Sequence, residues 1–155
     1  MSKDDSIPVS ELYHSLDDFL VNYFRFLNPI FHRYTNDGIE LNENQIKVLM
    51  AVSKTEQISP SEISKLFMMP KTSLTTIVRS LVDAGFLIKK TNTKDSRKFL
   101  LELTPKGQQF IIKKNEFDIS RLDSLLGGMM PDERKRVIDG FNTLNGYFDR
   151  EGNTI

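Results

Sequence analysis

The sequence predicts a mainly α protein with a small β-hairpin wing: a winged helix-turn-helix core flanked by N- and C-terminal dimerisation helices. Three observations carry this expectation. A capped short helix, "SPSEISKLF", is followed across a Pro-marked turn by a second helix, "KTSLTTIVRSLVDA". Two runs with strand character, Phe86–Ile88 and Phe99–Leu103, flank the polar tip "KKTNTKDSRK". Long helical patterns lie on either side of this block.

Taken in order, the first pattern spans residues 10–35. Leu12, Leu16, Phe19, Tyr23, Phe26 and Ile30 recur at steps of three and four, and Leu20, Phe24, Leu27, Phe31 and Tyr34 widen that face. Pro29 lacks a backbone donor and pushes Asn28 out of helical geometry, so a kink or a new helix is expected there. "TNDG" breaks the chain. A helix over 43–53 follows, with Ile46, Leu49, Met50 and Val52 inward. Ser59 caps the next helix, Pro60 fills its first position and Glu62 completes a capping box. Pro70 ends the turn. The second helix of the pair stops at Gly85, a natural C-terminal cap. After the hairpin, Thr104 and Pro105 restart helix, which fades at Gly127-Gly128. A last helix runs from Pro131 to Phe148 with Val137, Phe141, Leu144 and Phe148 on one face. The expected segments are an N-terminal arm (1–40), a winged helix-turn-helix DNA-binding lobe (41–106) and C-terminal dimerisation helices (107–155).

Charge patterning favours a polyanionic partner. The chain has 21 basic and 21 acidic residues, yet residues 62–106 alone carry nine basic and four acidic groups. A local basic block steers nucleic acid more than the total does. On a wheel of about 100° per residue, Leu74, Ile77, Val78 and Leu81 face a core. Thr72, Thr76 and Arg79 lie opposite, with Ser73, Thr75 and Ser80 beside them and Lys71 at the helix start. Short hydroxyl side chains let a helix backbone approach the major groove. They bond phosphates or base edges, and threonine methyls can touch thymine methyls. Arg79 suits guanine readout or a phosphate clamp. At the hairpin tip, Arg97 is the residue to enter an A·T-rich minor groove, where negative potential concentrates. Asp95 braces its guanidinium, with Ser96 between them. Lys90, Lys94 and Lys98 meet phosphates and add salt-sensitive affinity.

Asp95-Ser96-Arg97, then Leu101, Leu103-Thr104 and Gly107, resembles the wing signature of the MarR-type bacterial transcription regulators, D-x-R running into L-x-L-T-x-x-G. "TSLTTIVRSLVDAGFL" is similar to that family's recognition helix and its exit into the wing. The resemblance implies a homodimer with interlocked terminal helices. It also implies repression or activation at a pseudo-palindromic operator in double-stranded DNA, often relieved by a small-molecule effector. The family often has Arg where this chain has Thr76, which shifts base readout toward Arg79 and the wing.

The arms support the dimer. Of 15 aromatic residues only Phe67, Phe86 and Phe99 lie within 41–106. Two chains burying such apolar arms together would form an obligate interface and set two recognition helices roughly 34 Å apart. The arms could also frame an effector pocket against the lobe, for which Phe24, Phe31 and Leu49 are candidates.

Other classes have less behind them. There is no cysteine, so disulfides and thiolate metal sites are excluded. Two separated histidines, His14 and His32, make a poor zinc site, and no cofactor is expected. No phosphate loop, nucleophile elbow or HExxH motif points to an enzyme. No apolar run approaches a membrane span and the N-terminus lacks a signal-peptide core, so a cytoplasmic location is expected. The competing reading is a winged-helix protein-interaction module without DNA readout.

Overall fold

The computed structural model of the chain describes residues 7–31, 34–36, 38–55, 57–91 and 99–151. Seven helices and two small hairpins are found among them: α1 (Val9–Asn22), a π-helical turn (Tyr23–Leu27), α2 (Asn28–Phe31), β1 (Thr35–Asn36), β2 (Ile39–Glu40), α3 (Glu43–Ser53), α4 (Pro60–Leu66), α5 (Lys71–Asp83), β3 (Leu87–Thr91), β4 (Phe99–Leu103), α6 (Pro105–Leu126) and α7 (Pro131–Glu151). The chain falls into two compact units, Met1–Ser120 and Arg121–Ile155.

In the first unit the N-terminal helix does not break at Pro29. Asn28 stays helical, at φ −54° and ψ −43°, contrary to the expectation from the proline that follows it. The helix widens instead. The Asn28 N–H reaches back five residues to Tyr23 O, and this wide turn accommodates a ring that would otherwise press on the carbonyl four residues earlier. At the "TNDG" stretch, Thr35 and Asn36 form β1 and pair with Glu40 and Ile39 of β2, and Gly38 stands at φ 76°.

The core of this unit gathers Ile46, Val48, Leu49 and Val52 of α3, Ile63 of α4, Leu74, Val78 and Leu81 of α5, Phe86, Leu87 and Leu101 of the wing root, and Phe110 of α6. On α3 the inward set differs from expectation at three positions. Met50 is exposed, while Val48 and Ala51 are buried. The helix is covered on more than one side, which the wheel alone does not reveal.

Caps set the boundaries. Asn42 and Gln45 form a reciprocal capping box on α3, and Ser59 and Glu62 form another on α4, with Pro60 in the first turn. α4 ends in a Schellman turn: Met69 N–H bonds Ser64 O at 3.0 Å and Met68 N–H bonds Lys65 O at 3.4 Å. The left-handed position, φ 50°, is held by Met68, where glycine is the usual occupant. The same turn closes α5, this time with Gly85 at φ 78°.

In the second unit, α7 runs as one helix whose Val137, Phe141, Leu144 and Phe148 are all exposed. In the first unit, Leu12, Leu16, Phe19 and Leu20 of α1 are likewise exposed. Among the described residues no helix is long and apolar enough to cross a membrane.

Candidate nucleic-acid interface

α5 is fixed by its buried stripe and by a link to α3. Leu74, Val78 and Leu81 are buried. The Ser80 hydroxyl donates to Ile77 O at 2.8 Å and accepts from Gln45 Nε2 at 3.0 Å. Ser80 therefore holds two helices together and does not stand free on the polar face. The other side of α5 is open: Lys71, Thr72, Ser73, Thr75, Thr76 and Arg79 are all exposed. Their placement follows the wheel, since the three buried residues occupy one narrow stripe. Thr75 Oγ1 donates to Lys71 O at 2.8 Å, and Thr76 Oγ1 to Thr72 O at 3.3 Å. The Arg79 side chain lies 4.0 Å from Asp83 Oδ2, with both groups largely in solvent. So loose an exposed pair adds little stability and leaves the guanidinium available.

The wing is an antiparallel hairpin in which Leu87 faces Leu103, Lys89 faces Leu101 and Thr91 faces Phe99. Its root is fastened to the turn before α4. Leu101 N–H bonds Ile58 O at 2.9 Å, and Gln57 Nε2 donates to Glu102 Oε1 at 2.8 Å. Lys90 pairs with the other side of Glu102, Nζ to Oε2 at 2.9 Å. These bonds, that from Lys90 first and that from Gln57 second, hold the Glu102 carboxyl below its ordinary range. Lys90, expected at phosphates, is thus engaged within the hairpin. Lys89 lies over the Phe99 ring, 4.7 Å from its centre. Lys94, Asp95, Ser96, Arg97 and Lys98 lie outside the described residues.

The junction from wing to α6 explains the L-x-L-T-x-x-G pattern. Leu101 is fully buried, and Leu103 packs against the core. Thr104 Oγ1 donates to Gly85 O at 2.6 Å, has Phe86 O at 3.2 Å, and accepts from Gly107 N–H at 3.0 Å. Lys106 Nζ donates to Ala84 O at 2.7 Å and sits over the Phe86 ring, so this cation caps the C-terminal end of α5.

Several of these residues escaped the sequence reading. Gln45, Gln57 and Glu102 make contacts from distant segments, with no local signature. Lys65, exposed in the last turn of α4, lies on the helix that crosses the backbone in helix-turn-helix complexes. Lys114 had a readable signal: it follows Gly107, Phe110 and Ile111 at helical spacing and so falls on their buried face. It is 1% exposed and donates to Asp118 Oδ2, while Asp118 Oδ1 has no hydrogen-bond partner among the described residues. Among the described residues, no group of three or more His, Asp or Glu side chains gathers as a metal site.

Residues 41–99 match the MarR family model. Over 145 residues, 90% of this chain and 84% of the relative, the sequence is 26% identical to the HTH-type transcriptional repressor YetL of Bacillus subtilis (strain 168). The fold is shared with the transcriptional regulator BldR from Sulfolobus solfataricus, at a TM-score of 0.68 and 20% identity over 92% of this chain and 99% of that one. It is shared with wild-type MarR from E. coli in its apo form, at 0.64 and 21% identity over 91% and 98% of the two chains. The same holds for Streptococcus pneumoniae FabT in complex with DNA, at 0.64 and 18% identity over 89% and 98%. The family is one of transcription regulators and not of enzymes. A capped helix pair, an open polar face on α5 and a braced hairpin accompany these matches: over residues 41–99 the chain is similar to the MarR family, and it shares the fold of MarR-type transcription regulators.

Proposed function

We propose that the protein is a sequence-specific, DNA-binding repressor acting as a homodimer on a pseudo-palindromic operator, its affinity lowered by a small-molecule effector. The observation that carries this reading is the open face of α5. Thr72, Ser73, Thr75, Thr76 and Arg79 are exposed together on a helix whose other side is locked into the core. Lys71 and Lys65 stand at the phosphate margin of that face, and the wing supplies Arg97 to the minor groove with Asp95 as its brace. Lys94, Ser96 and Lys98 complete the tip, and Lys90 contributes once it exchanges Glu102 for a phosphate.

Residues 1–40 and 107–155 act as dimerisation arms around the 41–106 lobe. The exposed apolar stripes of α1 and α7 support this, because contiguous apolar surface of that kind marks an interface. Repression is supported by the repressor YetL, and engagement of a duplex by FabT, whose structure holds DNA. The cytoplasm is the compartment such a role requires.

Titrating duplexes selected from a random library at two salt concentrations tests the reading. Affinity for the selected duplex should fall steeply as salt rises, and the chain should sediment as a dimer. The alternative, a protein-interaction module, predicts no enrichment of any duplex at low salt.

A further inference from the structure

The four small hydroxyl side chains on the open face of α5 are of two kinds. Thr72 and Ser73, in the first turn, have no side-chain hydrogen bond to a described residue. Thr75 and Thr76 have each turned their hydroxyl back onto the helix, to Lys71 O and Thr72 O. A hydroxyl carries one proton. Spent on a backbone carbonyl, it is not available to a phosphate oxygen or to a purine N7, both of which only accept. Such a threonine offers outward a methyl group and an oxygen lone pair.

Among the base edges of the major groove, thymine alone carries a methyl, and the adenine paired with it carries an N6 donor. A methyl with an acceptor beside it therefore matches an A·T pair. Cytosine supplies the donor without the methyl, and guanine supplies only acceptors. We propose that Thr76, at the centre of the open face, and Thr75, at its edge, are the specificity-determining residues of α5 for thymine, read through its 5-methyl group. Thr72 and Ser73 keep their protons for phosphates. The inference rests on the reading that α5 enters the major groove.

The test uses the full-length protein and the duplex recovered from a random library. Thymines are replaced by deoxyuridine one position at a time, which removes the methyl and keeps the base pair. One or two positions in each half-site should lose roughly fourfold in affinity per methyl. At those positions Thr76→Val should keep the preference for thymine over uracil, whereas Thr76→Ser should abolish it. Thr75→Val and Thr75→Ser should divide in the same way. These side chains are exposed, and unchanged urea midpoints would show the variants folded. Equal binding of thymine and uracil duplexes at every position overturns the proposal while leaving DNA recognition intact. So does retention of the preference in both serine variants. A chain that enriches no duplex overturns the proposal and the functional reading together.

Discussion

Gly107 lies directly beneath the carbonyl of Phe86: a Cβ at this glycine would sit 2.3 Å from Phe86 O and 3.1 Å from Leu103 Cδ2. The first turn of α6 can approach the end of α5 this closely only because the residue has no side chain. Gly107→Ala must push backbone against backbone, and should cost about 1–3 kcal/mol, read as a lower urea midpoint with an unchanged slope.

The buried pair on α6 gives a second prediction. Removing one partner of a buried ion pair leaves the other charge uncompensated, so Asp118→Ala should destabilise by about 3–5 kcal/mol. The double variant Lys114→Met/Asp118→Leu removes both buried charges together, and should recover most of that loss. Thermal unfolding of the two variants decides the point. A double variant no better than Asp118→Ala would mean that the pair does more than satisfy itself.

Acid stability should depend on Glu62. Its carboxylate accepts from the Ser59 hydroxyl at 2.6 Å and the Ser59 N–H at 2.8 Å, and these bonds, the hydroxyl first, hold it below its ordinary pKa. A folded-state value lower than the unfolded one stabilises fully above the unfolded value, about 4.3. That stability is lost as pH falls through the folded value. Glu62→Gln should therefore flatten the decline of the urea midpoint below that pH. Glu102, lowered by Lys90 and Gln57, acts with the same sign, so a flat profile needs both replaced by glutamine.

Met68 holds a left-handed backbone at φ 50° with its side chain almost wholly in solvent. Met68→Gly relieves a Cβ–carbonyl clash and loses no packing. It should raise stability by about 0.5–1 kcal/mol, seen as a higher Tm.

At the wing tip, Arg97→Ala should weaken binding to the selected duplex by roughly tenfold or more while leaving fold and dimer unchanged. Asp95→Ala should also weaken it, although a negative charge near phosphates has been removed. Fluorescence anisotropy measures both. Tighter binding by Asp95→Ala at every duplex sequence would rule out the brace.

Much of this was legible in the residues because it is local. The Ser59–Glu62 box, the Gly85 stop, the Thr104 cap and the polar face opposite Leu74 all follow from short spacings, and the structure reproduces them. What was not legible depends on segments meeting from afar. Ser80 reads as one more hydroxyl on the polar face of α5 until Gln45 is seen beside it, and Lys90 reads as a free cation until Glu102 is seen across the strands. Asn28 was misjudged for a related reason: a proline's effect can be absorbed by widening the turn ahead of it, which no residue-level preference announces. The Met68 turn carries no glycine and so gives no sequence signal of its backbone.

The Ile58–Leu101 and Gln57–Glu102 bonds that tie the wing root to the start of α4 bear on operators as well as on the protein. They fix the root of the hairpin against the helix pair, as the frame of a caliper holds its jaws. A caliper of this kind measures the stretch of duplex between the steps its two jaws touch. Adding one base pair inside a half-site moves the outer contact by about 3.4 Å along the axis and swings it around the helix, beyond what a stitched root can follow. On the proposed reading, half-sites should therefore keep one length, whatever letters fill the positions that α5 and the wing leave untouched.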